Sequence, residues 1–262
     1  MCENWEVNDM CELLGISSHE PFNVKPYLEA FLSHSQKFPH GWGLLRSDED
    51  AFGVIKEPVA AYKSEIAKET LDRLSPQNNI VAHIRFATIG SIKTENCHPF
   101  CGKDSTGREW TVAHNGTVYS GKYLTKYLGL QQGDTDSEKI LLFIIDEVNK
   151  AQSQKTLSAR KRFDIVDEAV RKLSHRNKLN LLIFDGELLY VHKNMNNSLC
   201  YKHEDNCFIF STTPLDDGVW EDFPLSQLFA FHNGKKVFRG HAHNEIFVPN
   251  LNYANITNAI NI

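Results

Sequence analysis

Apolar residues recur along the chain in two patterns, and the order of these patterns predicts the fold class. Helical spacing occupies four stretches: 24–38, 66–74, 140–148 and 163–173. Short apolar runs typical of strands occupy the other stretches: 11–15, 40–45, 52–55, 80–85, 110–114, 179–184, 187–192, 207–212, 228–232 and 236–239. Strands on both sides of two central helices indicate layered helices and antiparallel strands, an α+β fold, rather than a parallel doubly wound sheet.

Residue pairs that contain glycine separate several of the predicted strands. Asp185-Gly186 and Asn233-Gly234 each separate two apolar runs, which predicts two hairpins, and the runs 40–45 and 52–55 predict a third. Asn115-Gly116 follows the run 110–114 and has two interpretations. It forms a tight turn, or it presents one side-chain amide and one backbone N–H at a single point, as an oxyanion requires. Both interpretations can hold at once.

Composition narrows the class of protein. The chain has 262 residues, of which 41% are hydrophobic and 23% charged, as in globular proteins of one large or two small domains. A net charge of -5 gives no reason to expect nucleic acid or an acidic membrane as a partner. No apolar run is long enough to span a bilayer and no secretory signal is visible, so we expect a cytoplasmic protein with reduced cysteines.

Cys11 opens the first predicted strand. If the working chain begins there, one residue supplies a thiol nucleophile and an α-amine whose pKa, about 7.7–8.0, suits a general base. The alternative is an ordinary buried thiol. Cys2 is a rival N-terminal nucleophile, but polar residues follow it. We therefore expect residues 1–10 to be an N-terminal extension or pro-segment and residues 11–262 to form the functional domain.

Two charged residues stand where a ligand could meet them. Arg85 ends a strand beside a glycine-bearing loop, where its planar guanidinium suits a carboxylate, although a surface ion pair is the usual alternative. Thr135 and Glu138 have the spacing of a capping box, which predicts a helix start. Asp136 would lie in the first turn, where it complements the helix dipole or holds a substrate ammonium group.

The segment Cys97-His98-Pro99-Phe100-Cys101 invites a zinc interpretation. No second cysteine pair or histidine pair completes four ligands, so we predict no metal. No glycine-rich phosphate loop is present, which weakens any nucleotide-binding interpretation, and we predict no cofactor.

Six motifs taken together resemble the class II glutamine amidotransferases, whose glutaminase domain belongs to the N-terminal-nucleophile hydrolases. In chain order they are Met10-Cys11-Glu12-Leu13-Leu14-Gly15, His40-Gly41-Trp42-Gly43, Arg85-Phe86-Ala87-Thr88-Ile89-Gly90, His98-Pro99-Phe100, His114-Asn115-Gly116 and Asp134-Thr135-Asp136-Ser137-Glu138. The strand-rich remainder is similar to the compact single-domain branch of the family. The resemblance implies a four-layer αββα sandwich of two mainly antiparallel sheets.

The resemblance also implies a mechanism. Cys11 attacks the side-chain amide of glutamine, its own α-amine relays the proton to the leaving ammonia, and water releases glutamate from the thioester. The family pattern assigns the oxyanion to Asn115 and Gly116, the substrate α-carboxylate to Arg85, the α-ammonium to Asp136, and pocket positions to Thr88 and His98.

Three functions remain open at this point. The first is a glutamine amidotransferase subunit that hands ammonia to a synthase or other partner subunit. The second is an amidase that cleaves γ-glutamyl bonds of a small peptide or conjugate, because both substrates present the same glutamyl head. The third is a non-enzymatic domain that binds glutamine-like ligands or a partner, which retention of residues 1–10 would favour.

Overall fold

The computed structural model describes residues 11–47, 52–152 and 156–249. The predicted extension, with Cys2, lies outside these ranges. In chain order the elements are β1 (Glu12–Phe22), α1 (Lys25–Ser33), β2 (Trp42–Ser47), β3 (Phe52–Glu57), α2 (Glu65–Asp72), β4 (Gln77–Ile84), β5 (Phe100–Lys103), β6 (Glu109–Thr117), α3 (Ser137–Gln152), α4 (Ala159–Ser174), β7 (Lys178–Phe184), β8 (Leu189–His192), β9 (Cys200–Glu204), β10 (Cys207–Ser211), β11 (Glu221–Asp222), β12 (Phe229–His232) and β13 (Lys235–Arg239).

The strands form two sheets. The first has the order β11-β9-β10-β1-β4-β2-β3, and the second has the order β13-β12-β8-β7-β6-β5. Neighbouring strands in the described ranges pair antiparallel throughout. The central strand β1 lies between β10 and β4, so the residue that precedes it, Cys11, is held at the middle of a sheet.

Three apolar clusters show how the layers stack. Helices α1 and α2 cover the outer face of the first sheet, where Leu28 and Phe31 are buried in one cluster with Leu14. Helices α3 and α4 cover the outer face of the second sheet in another cluster. The third cluster lies between the sheets and joins Leu13 to Leu182. The predicted α+β fold and its four αββα layers are confirmed.

Local chemistry explains where the helices begin. Pro26 lies in the first turn of α1, where the missing N–H costs nothing. Ser64 caps α2 by accepting a hydrogen bond from the N–H of Ala67 at 2.9 Å, and Ser158 caps α4 in the same way.

The three predicted hairpins form. Strands β2 and β3 pair with each other, β7 pairs with β8, and β12 pairs with β13. Asn233 and Gly234 both have positive φ, as a tight two-residue turn requires.

The tight-turn interpretation of Asn115-Gly116 is wrong. Both residues lie inside β6, opposite Asn180 and Leu179 of β7. Pairing with β7 overrides the local turn preference. A side chain at position 116 would overlap the carbonyl oxygen of Lys178, so glycine is needed here for close strand contact rather than for a turn.

The predicted capping box of Thr135 and Glu138 is also wrong, although the predicted helix exists. Helix α3 begins at Ser137, so Asp136 precedes the helix rather than lying in its first turn. The Thr135 hydroxyl has no hydrogen-bond partner in the described part of the chain. The Glu138 carboxylate instead accepts the N–H groups of Gln132 at 2.8 Å and Gly133 at 2.9 Å.

None of the helices in the described ranges is both long and apolar enough to cross a membrane.

Candidate active site

Cys11 lies directly before β1 and is half-buried. Its sulphur interacts with the backbone of Phe86, the second residue after β4. The Phe86 N–H donates to Sγ at 3.3 Å, and the thiol donates to the Phe86 carbonyl oxygen at 3.3 Å. Two backbone groups therefore fix the sulphur at the edge of the sheet where β1 begins and β4 ends.

The surroundings of the thiol shift the pKa of Cys11 in opposite directions. Burial raises the pKa of Cys11, whereas the Phe86 N–H and the positive charges of Arg85 and Lys178 lower it. The thiol is therefore protonated at neutral pH until a base removes its proton.

Arg85 does not form the surface ion pair that was the alternative for it. Its side chain is 2% exposed. The guanidinium donates to the carbonyl oxygens of Ile89 at 2.9 Å, Gly90 at 3.2 Å and Ser91 at 3.2 Å. The loop that carries the half-buried Thr88 is thus folded around this cation.

A second set of contacts fastens this loop to the segment before α3. The Asp134 carboxylate accepts the Ser91 hydroxyl at 3.0 Å and the Asn96 side-chain amide. A side chain on Gly90 would collide with that carboxylate, and Gly90 also has a positive φ of 81°. The loop after Arg85 and the approach to Asp136 therefore form one rim.

Asn115 and Gly116 lie on β6 next to this rim. Asn115 is 2% exposed and its Oδ1 has no hydrogen-bond partner among the described residues. Alternation along β6 points Asn115, like Ala113, into the layer between the sheets. A buried amide that the fold leaves without a partner on one atom is unusual, and such groups are candidates for ligand contact.

Asp136 belongs to a hydrogen-bond chain behind Gly116. Its Oδ2 accepts the N–H of Val118 at 2.6 Å. Ser137 then bonds Nδ1 of His114 at 2.9 Å, and Nε2 of His114 bonds the Lys178 carbonyl oxygen at 3.0 Å. Because a carbonyl can only accept, His114 carries its proton on Nε2. The chain ties the start of α3 to the two strands under the site.

Two buried histidines meet beside Cys11. The rings of His83 and His98 are 4.1 Å apart, and neither ring nitrogen of either residue has a hydrogen-bond partner in the described part of the chain. Burial lowers the pKa of His83 to about 3 and that of His98 well below its usual value. Both rings are therefore neutral at pH 7. Gly43 permits the contact, since any side chain there would overlap the His98 carbonyl.

The two cysteines of the rejected zinc interpretation face different surroundings. Cys97 is buried and donates to the Glu57 carbonyl oxygen at 3.3 Å, whereas Cys101 is exposed beside Thr111. Within the ranges that the structure describes, no three His, Cys, Asp or Glu side chains are grouped to hold a metal ion.

Sequence reasoning missed Lys178 and His83. Lys178 is the first residue of β7 and is 3% exposed, and burial lowers its pKa to about 8. A lysine at the head of an apolar strand is ordinarily assigned to the surface. The available signal was the face of the strand: Lys178 shares the inward alternation of Leu182. His83 carried a clearer signal, since it interrupts the apolar run 80–84.

Comparison with known proteins shows the family of the chain. A family model described as glutamine amidotransferases class-II matches residues 10–205, more than half of the chain. An uncharacterized protein of Methanocaldococcus jannaschii is 28% identical over 87% of this chain and 71% of its own length. The protein YafJ of Escherichia coli, provisionally named a glutamine amidotransferase, is 29% identical over 71% of this chain and 74% of its own length.

Solved structures share the fold. A predicted glutamine amidotransferase from Pseudomonas aeruginosa superposes with a TM-score of 0.62 at 21% identity, covering 87% of this chain and all of that one. The glutamine phosphoribosylpyrophosphate amidotransferase from Bacillus subtilis superposes with a TM-score of 0.66 at 16% identity, covering 90% of this chain and half of that one. On the match of the family model, the chain belongs to the class-II glutamine amidotransferases.

Proposed function

We propose that this protein hydrolyses the side-chain amide of glutamine through a thioester on Cys11. The observation that carries the proposal is the position of the thiol. Its sulphur is fixed by Phe86 beside the Arg85 cation, at the edge of the inter-sheet layer into which Asn115 points. A half-buried thiol, a buried guanidinium and a buried side-chain amide thus lie in one region, which supports the proposal.

In the proposed reaction the Cys11 sulphur attacks the amide carbon of the substrate. The thiol proton passes to the α-amine of Cys11 and then to the departing ammonia, which requires a working chain that begins at Cys11. The Asn115 side chain and the Gly116 N–H hold the oxyanion of the tetrahedral intermediate. Water then cleaves the thioester and releases glutamate.

The glutamyl head is proposed to bind along the rim. The Arg85 guanidinium holds the α-carboxylate, and the Asp136 carboxylate holds the α-ammonium. Thr88, in the loop around Arg85, and His98, beside His83, line the pocket. The ammonia passes to a synthase or other partner subunit. A cytoplasmic location also stays a prediction.

The test is covalent labelling with a glutamine-mimicking diazoketone, followed by intact-mass measurement and peptide mapping. We expect one adduct, on Cys11, in chains that begin at Cys11, and protection by glutamine. Cys101 is the matched control, because an exposed thiol should react with iodoacetamide but not with the glutamine analogue. A chain that begins at residue 1 or 2 with Cys11 unlabelled would contradict the proposal. Faster turnover of γ-glutamyl peptides than of glutamine would instead favour the amidase alternative.

A further inference from the structure

Lys178 stands at the head of β7 in the layer between the sheets, and the proposed reaction does not use it. We propose that Lys178 is the buried cation that stabilises the Cys11 thiolate from the second sheet. Its effect on the thiol is independent of substrate, whereas its use in turnover rests on the proposed function.

The packing of β1 on β7 brings the two residues together. Leu182 fills the space that a side chain on Gly15 would need, with its Cδ1 3.0 Å from that position. The strands run in the same direction across this contact. Further along β1, Ser17 accepts the N–H of Gly234 at 3.4 Å, near the end of the second sheet where Phe184 lies.

Counting back along both strands from this contact locates the pair. Four residues before Gly15 is Cys11, and four residues before Leu182 is Lys178. In sheets packed nearly aligned, equal steps along two strands keep their residues opposite each other. Lys178 also shares the inward face of Leu182, because side chains two residues apart project to the same side of a strand.

Electrostatics agree with this placement in both directions. The positive charge of Lys178, like that of Arg85, lowers the pKa of Cys11. Burial lowers the pKa of Lys178, the negative charge of a Cys11 thiolate opposes this effect, and the result is a pKa of about 8. Lysine is therefore largely charged at pH 7, when the thiol still holds its proton. Loss of that proton creates an ion pair in a region from which water is mostly excluded.

Apart from Arg85, the other ionisable groups in this region do not duplicate this role. They come from the two sheets and the rim: His40, His83, Cys97, His98, His114 and Asp136. Burial lowers the pKa of each of these histidines, and it raises the pKa of Cys97 to about 11, so they are uncharged at pH 7.

Arg85 is the second cation that acts on the thiol. In the proposed reaction a substrate carboxylate pairs with Arg85 and offsets its charge. Lys178 is then the positive charge that still favours the thiolate.

The first experiment measures the rate of Cys11 alkylation by iodoacetamide against pH, with the adduct assigned by peptide mapping of the full chain. We expect Lys178→Met to slow Cys11 alkylation at pH 7 about tenfold, which corresponds to a rise of about one unit in the Cys11 pKa while Lys178 is charged. Lys178→Arg should keep the wild-type rate at pH 7, because the guanidinium retains the charge. A Lys178→Met profile that overlays the wild type would overturn the inference.

Lys193 provides the matched control. It is also a buried lysine, and its Nζ bonds the Leu199 carbonyl oxygen at 3.2 Å and the Asp222 carboxylate. Lys193→Met should lower the free energy of unfolding without moving the Cys11 midpoint. An equal shift in this variant would show that loosening of the fold, rather than charge, sets the profile, and would also overturn the inference.

A second measurement keeps Lys178 in place and so does not depend on how its variants fold. The ¹³Cε resonance of Lys178 is titrated in Cys11→Ser and in Cys11→Asp, whose carboxylate supplies a negative charge at this position. We expect Lys178 to titrate at higher pH in Cys11→Asp, because a negative charge at position 11 raises its pKa; identical titrations would refute the inference. If diazoketone labelling fails but Lys178→Met still slows Cys11 alkylation, the proposed function alone is rejected. If labelling succeeds but Lys178→Met leaves Cys11 alkylation unchanged, this inference alone is rejected.

Discussion

The layer between the two sheets has two ends, which are built from different strands of the same two sheets and differ in how their buried groups interact. At the aromatic end, Phe210, Phe223, Phe229 and Phe231 pack with ring centroids 4.7–5.6 Å apart. At the polar end the buried groups are Cys11, His83, Asn115 and Lys178. Alternation places both sets on inward faces, so the sheet geometry alone does not distinguish them.

The difference lies in how the buried groups are satisfied. The aromatic rings need only contact, and close packing supplies it. At the polar end, the nitrogens of His83 and the Oδ1 of Asn115 have no hydrogen-bond partner among the described residues. Each such group costs about 1–3 kcal/mol of folding free energy. The aromatic end therefore contributes stability, and the polar end retains groups whose use is chemical.

The largest effect that separates the two ends is expected from Cys11→Ala. Removal of the nucleophile should lower glutaminase activity by about 10⁴-fold or more. The free energy of unfolding should change by less than about 1.5 kcal/mol, since the thiol makes only two weak contacts with Phe86. Ammonia release and denaturant unfolding measure the two quantities. A large loss of stability with activity retained would remove the distinction between the ends.

Phe210→Ala is the opposite experiment at the aromatic end. Truncation of this fully buried ring should cost about 3–5 kcal/mol in the free energy of unfolding. At a temperature where the variant remains folded, the pH profile of Cys11 alkylation should be unchanged. Denaturant unfolding and iodoacetamide kinetics check the two parts. A shifted thiol profile would mean that the ends are mechanically coupled.

Asn115→Ala tests whether the side-chain N–H of Asn115 stabilises the oxyanion of the transition state. Loss of one oxyanion donor costs about 2.7–4 kcal/mol in the barrier, or 10²- to 10³-fold in kcat. We expect kcat to fall much more than KM rises, because the donor acts where charge develops. Steady-state glutaminase kinetics decide the question, and an equal loss through KM alone would reject the oxyanion role.

Hydrophobic pattern and motif order predicted most of the fold but less of the polar end. The hairpins followed from local signals that the tertiary structure preserves, and the four layers followed from the resemblance of the six motifs to a family. The turn interpretation of Asn115-Gly116 was wrong because the partner strand of these residues, β7, lies more than 60 residues away in sequence. Alternation with Leu182 indicates the inward face for Lys178, but its neighbour Cys11 is on the other sheet, and no local pattern records a contact between sheets.

His83→Phe makes the polar end resemble the aromatic end, and we expect it to have the smallest effect on stability and activity. The new ring keeps its contact with His98 but brings no unsatisfied nitrogen, so stability at pH 7 should rise by about 1 kcal/mol. Glutaminase activity should fall less than in Asn115→Ala, since His83 has no role in the proposed reaction.

The pH dependence of stability gives the sharper readout of the same variant. The pKa of His83 is about 3 in the folded state and near 6.5 in an unfolded chain. Between these values the unfolded chain binds a proton that the folded protein does not, so stability falls as pH is lowered from 6.5 towards 3, by up to about 1.4 kcal/mol per unit for this residue. His83→Phe should remove that contribution.

His192 provides the comparison. In His83→Phe it should still contribute a pH dependence of stability, since burial lowers the pKa of His192 to about 3 as well. Because His192 bonds the Leu179 carbonyl oxygen at 2.7 Å, replacing it should instead cost stability at pH 7. Denaturant unfolding at several pH values measures both variants, and equal effects of the two replacements at pH 7 would show that the missing hydrogen bonds of His83 carry no cost.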